Sequence, residues 1–464
     1  MVGAIGVSNA LSARDAWWHR RRGESRHFCE EGPPVAPPAA IEGELIMSRL
    51  QFGAFLAPHH PIGENPLLQF RRDLDLVEML DKLGYDEFWC GEHHSSGWEM
   101  IGSPEMFLAA AAERSQRIKL ATGVVSLPYH HPFNVAQRMV QLDWMSGGRA
   151  IFGSGPGALA SDAHTLGIDP MVQRDRQDEA IGVIRRLMRG ERVTHKTDWY
   201  TLQDAQLQLL PLQEEMPFAT ASQISPSGMT LAGKHGIGVI SIGSLSEEGL
   251  NALPTQWGFA EAAARKHGTS VDRKDWRVLL SWHIAETRDK AIEEARRGLM
   301  RHHNEYIVGT LQRPGAAPFK DPDEAIEKTA YSAAAAATIG TPDDLVQRIK
   351  SVLEVSGGFG TLVGFVHDWA NPENTARSWD MVARYVVPEI NGYLAGLRRS
   401  QHSVATERGV FDRAKEAIMA KITENEAARA ALAVTRGSRL GNVAASAAVP
   451  DIDAANRTRP AAAE

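Results

Sequence analysis

Pairs of adjacent histidines close three apolar runs, in "APHHP" (57–61), "GEHHSSGW" (91–98) and "SLPYHHP" (126–132). Imidazole titrates near pH ~6.5, so it can give or take a proton near neutrality, and its neutral form suits zinc or iron. Glu92 directly precedes His93 and His94, which puts a carboxylate beside two candidate acid–base groups. A metal is not expected. Neighbouring residues of an extended segment point opposite ways, and neither a His-x-His nor a His-Glu-x-x-His spacing occurs. Pro61 and Pro132 mark rim loops in which proline sets the turn. Cys90 lies inside an apolar run and reads as core packing rather than as a nucleophile.

These residues need a frame that gathers them. Apolar runs at 50–56, 86–91, 118–128, 149–155, 218–222, 238–243, 277–286 and 361–368 read as strands, and amphipathic stretches such as 70–84, 104–115, 132–148 and 177–190 read as helices between them. Near-continuous apolar strands alternating with helices indicate a parallel sheet covered on its outer face. Eight such units point to an α/β fold closed as a (β/α)8 TIM barrel rather than an open sheet. The stretch 192–211 alternates instead and reads as a β-hairpin inserted after the fourth strand. A second insertion, rich in Ala and Pro, is expected at about 309–340. Thr341 then caps the next helix, with Pro342 at its first position and acids in its first turn.

The organisation expected is a barrel domain over 47–395, a helical segment over 396–434, and disordered extensions at 1–46 and 435–464, where Pro, Ala and polar residues show no apolar period. Regular patterning starts just after Met47. The codons for Glu42, Gly43 and Glu44 are purine-rich and resemble a ribosome-binding site, so Met47 is the expected natural start. Mass spectrometry of the native N-terminus checks this, and a peptide spanning Met47 contradicts it. The net charge of −7 gives no basic face for nucleic acid. Two distant cysteines, Cys29 and Cys90, imply no disulfide scaffold and fit a reducing cytoplasm. No apolar run approaches the roughly 20 residues of a membrane span, and no apolar core follows "HRRRGE" to make an export signal.

In such barrels the chemistry sits at the C-terminal ends of the strands. The fifth end, "SQISPSG", offers Ser222, Ser225 and Ser227 where a helix begins. Hydroxyls and the free amides of a helix N-terminus form an anion site. Capping by Ser225 or Ser227, with Pro226 at N1, is compatible with it. The fourth end, "FGSGPGAL", carries Gly155 and Ala158, and its glycines let a flat ring approach the backbone.

Together, "GEHHSSGW", "ATGVVSLPYHHPFNVAQRMVQLDWMSGGRAIFGSGPGAL", "TASQISPSGMTLAGKHG" and "SWDMVARYVVPEIN" resemble the bacterial luciferase-like flavin-dependent monooxygenases over about residues 49–391. "FGAFLAPHHPIGENP" is similar to the branch named for limonene 1,2-monooxygenase. The resemblance implies a (β/α)8 barrel, usually a homodimer, fed with reduced FMN (FMNH2) by a separate reductase that consumes NAD(P)H. O2 then adds to the flavin as a C4a-peroxide, which transfers one oxygen atom. It also implies that His93 assists the flavin–oxygen chemistry beside Glu92, that a cis peptide at Gly123–Val124 lies behind the flavin, and that Ser222, Ser225 and Ser227 face its phosphate. The luciferase phosphate-binding arginine and neighbouring cysteine are replaced by Pro156 and Gly155. Phosphate is therefore left to the serines, the helix N-terminus and Arg174 or Arg176. FMN is favoured, with FAD or a deazaflavin-dependent reductase of the same barrel family as alternatives.

An oxygen-activating flavin site must exclude water. Phe55, Phe88, Trp98, Trp282, Phe365 and Trp369 are the aromatic residues that either line its cavity or pack the barrel. Such a pocket fits a small hydrophobic substrate, for instance a terpene undergoing epoxidation.

Overall fold

The computed structural model describes residues 49–430 except 58, 314, 333, 334 and 407. The expectations for residues 1–46 and 435–464, and for Met47 as the start, fall outside the described residues. Eight strands form the barrel: β1 (Gln51–Leu56), β2 (Glu87–Cys90), β3 (Lys119–Thr122), β4 (Ala150–Gly155), β5 (Phe218–Ser222), β6 (Gly238–Ser241), β7 (Trp276–Ile284) and β8 (Thr361–Phe365). Every neighbouring pair is parallel. The ring closes because β7 pairs with β8 on one side, Arg277 opposite Thr361, and with β6 on the other, Trp276 opposite Val239.

Both faces of each strand are covered, which is why the strands read as unbroken apolar runs. In β2, Phe88 and Cys90 point outward into the layer between strands and helices, where Phe88 stacks on Phe107 at 6.3 Å. Trp89 points inward, into a lumen it shares with Phe55, Ala121, Ile151, Ala219, Ile240, Leu279 and Val363. Gly153 makes room for that indole, since a Cβ there would stand 2.8 Å from the Trp89 ring.

The lower lumen holds a buried ion pair. Arg277 donates to the Glu87 carboxylate through Nη2 (2.8 Å) and Nε (3.0 Å), Trp89 Nε1–H donates to the same carboxylate (2.9 Å), and the guanidinium lies over the indole ring at 5.5 Å.

Helix boundaries follow local chemistry. In helix Pro66–Leu83, Asn65 accepts from the Leu67 amide and Gly84 stops the helix at φ 88°. Thr341 caps helix Pro342–Ser356 in a full capping box with Asp344, as expected. The hairpin is Val193–Lys196 with Thr201–Ala205. Helices Ala395–Thr406 and Arg408–Glu424 occupy the C-terminal segment. No helix among the described residues is long and apolar enough to cross a membrane.

The second insertion lies where the sequence reading placed it, and the segment leading into it already reaches the mouth. Helix Arg288–Arg301 runs into a π-helical turn, His302–Thr310, then short helical turns and strand Ala337–Gly340, which pairs with the far end of β7. His302 reaches the rim residues His59 and His367, so this segment caps the mouth instead of clothing the barrel side. Its buried residues Ala291, Ala295 and Leu299 have ordinary helical spacing, and that spacing does not reveal which surface they cover.

Glu87→Gln leaves a buried guanidinium without its counter-charge. We expect a loss of ~3–5 kcal/mol of stability by urea denaturation, with much of it regained in Glu87→Gln/Arg277→Met. A loss below ~1 kcal/mol for the single variant would show that the pair does not hold the lumen.

Candidate active site

After β2 the chain turns across the mouth, and Glu92 sits at the centre of that turn. Its Oε1 accepts from His94 Nε2–H (2.8 Å) and His130 Nε2–H (2.7 Å), and its Oε2 accepts from the Ser126 amide (2.8 Å). Burial works against the charged form, but the bonds from His130 and His94 and from Ser126 outweigh it and hold the carboxyl at about 2. Glu92 is therefore a fixed anion that ties the loops after β2 and β3 together. Among the described residues it makes no hydrogen bond to His93, so the expectation that places it beside His93 rests on charge and proximity.

One carboxylate oxygen and two ring nitrogens of Glu92, His94 and His130 lie within 4.8 Å of one another, a donor set that could suit an ion. An ionised carboxylate only accepts, so here both imidazoles direct Nε2–H at Glu92.

His93 has its own partners. Its Nδ1 lies 3.0 Å from Asp162 Oδ2 and its Nε2 3.3 Å from Glu99 Oε1. Burial lowers its basicity, but the Asp162 bond and the charges of Glu99, Asp162 and Glu92 more than restore it, and its pKa is raised. Asp162 also accepts from the His94 amide (3.0 Å) and the Ser95 hydroxyl. Glu99 accepts from the Tyr306 hydroxyl (2.6 Å), which joins the cap to the His93 network. Burial and the Glu99 charge push that phenol up.

Asp162, Glu99 and Tyr306 were not singled out from the sequence, and His130 stood out there only as one of a histidine pair without a role. Asp162 ends the strand-end stretch "GSGPGALASD" and was visible there only as one polar residue among several. Tyr306 lies more than 200 residues from Glu99 and gave no local signal.

Directly after β3 the Gly123–Val124 peptide is cis, with the Gly123 amide donating to the Cys90 carbonyl at the end of β2 (2.6 Å). The space left by Gly155 is filled by the Val124 side chain. Ala158 is exposed in the same loop. Gly157 adopts φ 94° against Tyr129, whose hydroxyl accepts from Gln173 Nε2 (2.9 Å).

At the end of β5, Ser222 is buried, while Ser225 and Ser227 are exposed with their hydroxyls 2.8 Å apart. Helix Ser227–His235 begins with Pro226 at the cap position, has no side-chain cap and has no acid in its first turn. Neither serine caps it, because Pro226 occupies the cap position, accepts from the Thr230 amide through its carbonyl (2.9 Å) and has no side-chain acceptor. The first-turn amides and two hydroxyls are left as a donor set that fits a phosphate.

Arg176 does not join them. It pairs with Asp198 (3.1 Å) and lies over Trp199 at 5.3 Å, in a groove of about 690 Å³ between helix Gln173–Met188 and the hairpin. In this structure its guanidinium is engaged by a carboxylate on the hairpin.

The aromatic candidates separate by strand face. Phe55 stacks on Phe365 at 5.5 Å at the top of the lumen, and Trp98 packs on Tyr306 at 5.3 Å. Trp282 and Phe88 point outward. Trp282 packs on Trp379 at 5.0 Å, so it belongs to the layer between strands and helices and not to the pocket. Trp369 lies in a small core with Leu299 and Ile326 and stacks on His367 at 3.7 Å.

Residues 50–358 match the family described as luciferase-like monooxygenase. The chain is 47% identical over 368 residues to 4-hydroxyprotoasukamycin monooxygenase of Streptomyces nodosus subsp. asukaensis, covering 78% of this chain and 98% of that one. It is 46% identical over 367 residues to limonene 1,2-monooxygenase of Rhodococcus erythropolis, covering 78% and 93%. Its fold is similar to the oxygenating constituent of 3,6-diketocamphane monooxygenase of Pseudomonas putida, solved with FMN, at a TM-score of 0.63 and 24% identity over 74% of this chain and 99% of that one.

One further rim histidine is structural. His60 lies between Asp368 (Nδ1, 2.7 Å) and Asp73 (Nε2, 2.9 Å), and Arg72 also reaches Asp368 (3.0 Å). Burial opposes its charge, but the bonds and charges of Asp368 and Asp73 win and raise it to about 9. A raised folded-state pKa gives stability that is full below the unfolded value of ~6.5 and lost as pH rises through about 9. We expect the thermal midpoint to fall across that interval, by at most roughly 3 kcal/mol of stability, and His60→Gln to flatten the slope. An equal slope in the variant would assign it to other groups.

Proposed function

The chain belongs to the luciferase-like monooxygenase family, and on that premise we propose a flavin-dependent monooxygenase that transfers one oxygen atom from O2 to a small hydrophobic substrate, with epoxidation of a terpene such as limonene as the model reaction. The observation that carries this reading is His93, held at the barrel mouth between Asp162 and Glu99 above an apolar lumen.

Reduced FMN, when bound, supplies the two electrons that O2 needs to give one oxygen atom to substrate and one to water. Its phosphate would be held by the first-turn amides of helix Ser227–His235 with Ser225 and Ser227, and its ring would lie by Gly123–Val124. Asp162 keeps His93 in one orientation and favours its protonated form. In that protonated form Nε2 carries a proton toward Glu99 that His93 would give to the oxygen leaving as water. Glu92 holds His94 and His130 aside by charge. The cap, tied down through Tyr306 and Glu99, keeps bulk water from the reacting atoms. Electrons would come from NAD(P)H through a separate flavin reductase, since no dinucleotide-binding glycine fingerprint follows a strand here. A homodimer in the cytoplasm completes the proposal.

The test uses reduced FMN, labelled O2 and a panel of small alkenes. We expect one labelled atom in the product. His93→Ala should bind FMN with unchanged Kd yet lower the product formed per flavin oxidised by ~10-fold or more, with hydrogen peroxide in its place. A fully coupled variant rules out the proton role, and product without label points to the deazaflavin-type reductase instead.

A further inference from the structure

The histidines of the mouth fall into two sets. His60, His93, His94 and His130 each have a carboxylate within hydrogen-bonding distance. His59, His302 and His367 pack on one another and on aromatic rings. His59 lies 4.8 Å from His302 and 5.4 Å from Phe365, His302 lies 5.8 Å from His367, and His367 stacks on Trp369. Burial pushes all three below the usual imidazole range, and their mutual repulsion lowers His302 and His367 further. Each is then a neutral ring with one N–H and one lone pair.

Three buried polar atoms of this patch, His302 Nε2, His367 Nδ1 and Trp369 Nε1, make no hydrogen bond among the described residues. The other nitrogen of His367 is accounted for by Ser281 Oγ at 2.8 Å. A buried polar group left unpaired is costly, so three in one patch need an explanation.

The patch is unlike an ion cage. Among the described residues only Glu92, His94 and His130 bring metal-ligand atoms within 4.8 Å of one another. It is equally unlike a site for a charged organic group, since its hydrogen-bonding atoms belong to neutral rings. What neutral N–H groups and lone pairs beside Phe365 and Trp369 can satisfy is one uncharged oxygen on an otherwise apolar molecule.

We infer that His302, His367 and Trp369 form the polar end of the substrate site, and that the substrate is a hydrophobic molecule bearing a carbonyl or hydroxyl oxygen rather than a bare hydrocarbon. This rests on the monooxygenase reading above and replaces its model substrate, limonene, with a molecule of similar size that carries an oxygen. The oxygen seats against the patch while the apolar remainder lies toward Phe55 and Phe365. A hydrocarbon in the same place leaves the three polar atoms unpaired, and a site built for hydrogen bonding discriminates strongly against a ligand that lacks the partner.

Limonene and carvone share a skeleton and differ by a ketone, so they form the test pair. Binding is measured by calorimetry on the FMN-loaded protein, and turnover is measured with reduced FMN and labelled O2. We expect carvone to bind at least ~10-fold more tightly than limonene. The ratio should collapse to within ~2-fold in His302→Phe and in Trp369→Phe, and His302→Gln should restore part of it. If His302→Phe does not fold, Trp369→Phe and the wild-type ratio still decide. Equal binding of the pair by the wild type, or a ratio untouched by the substitutions, overturns the inference and leaves the patch to water. A patch-dependent preference for carvone with no labelled product upholds the binding site and sinks the proposed reaction instead.

Discussion

The Glu87–Arg277 pair spans the lumen between strands 190 residues apart. It places charge where a barrel of this size has room for side chains but not for water, and the cost is offset because each group is the other's counter-ion. Trp89 rests on the pair, and Phe55, Leu279 and Val363 fill the lumen with it. The lumen is thereby closed from below. The open space of the barrel is confined to the mouth, and there the strand ends deliver Glu92, His93, Ser225 and His367.

At the mouth, charge is sorted. Carboxylates with imidazole partners, Glu92, Asp162, Asp73 and Asp368, anchor loops, and each is buried or partly buried. The imidazoles away from these carboxylates are kept neutral by burial and by one another. A site that must move one proton while excluding water gains from this division. His93 lies in the charged half, and the proposed substrate surface lies in the neutral half. Tyr306 touches both, through its hydrogen bond to Glu99 and its ring contacts to His59 and His302.

Much of the frame was legible before any coordinates. Strand positions, the hairpin at 193–205 and the Thr341 capping box rest on local periodicity and turn chemistry, which a single segment carries within itself. The cluster around His93 was legible only in part. His93 and the serines after β5 stood out by residue type at strand ends. Trp282 was misplaced because a strand buried on both faces lacks the polar alternation that shows which side chains point inward. The ion pair of Arg176 was not legible, because its carboxylate partner Asp198 comes from the turn of the hairpin that folds against it.

Returning to "GEHHSSGW", the sequence by itself determined that a carboxylate and two histidines stand at the end of the second barrel strand, because apolar patterning and strand ends are local properties. Only the tertiary structure decided their roles. Glu92 serves His94 and His130, while His93 belongs to Asp162 and Glu99. Asp162, the main partner that raises the charge of His93, is brought to it by the fourth strand end, and linear spacing does not encode that distance.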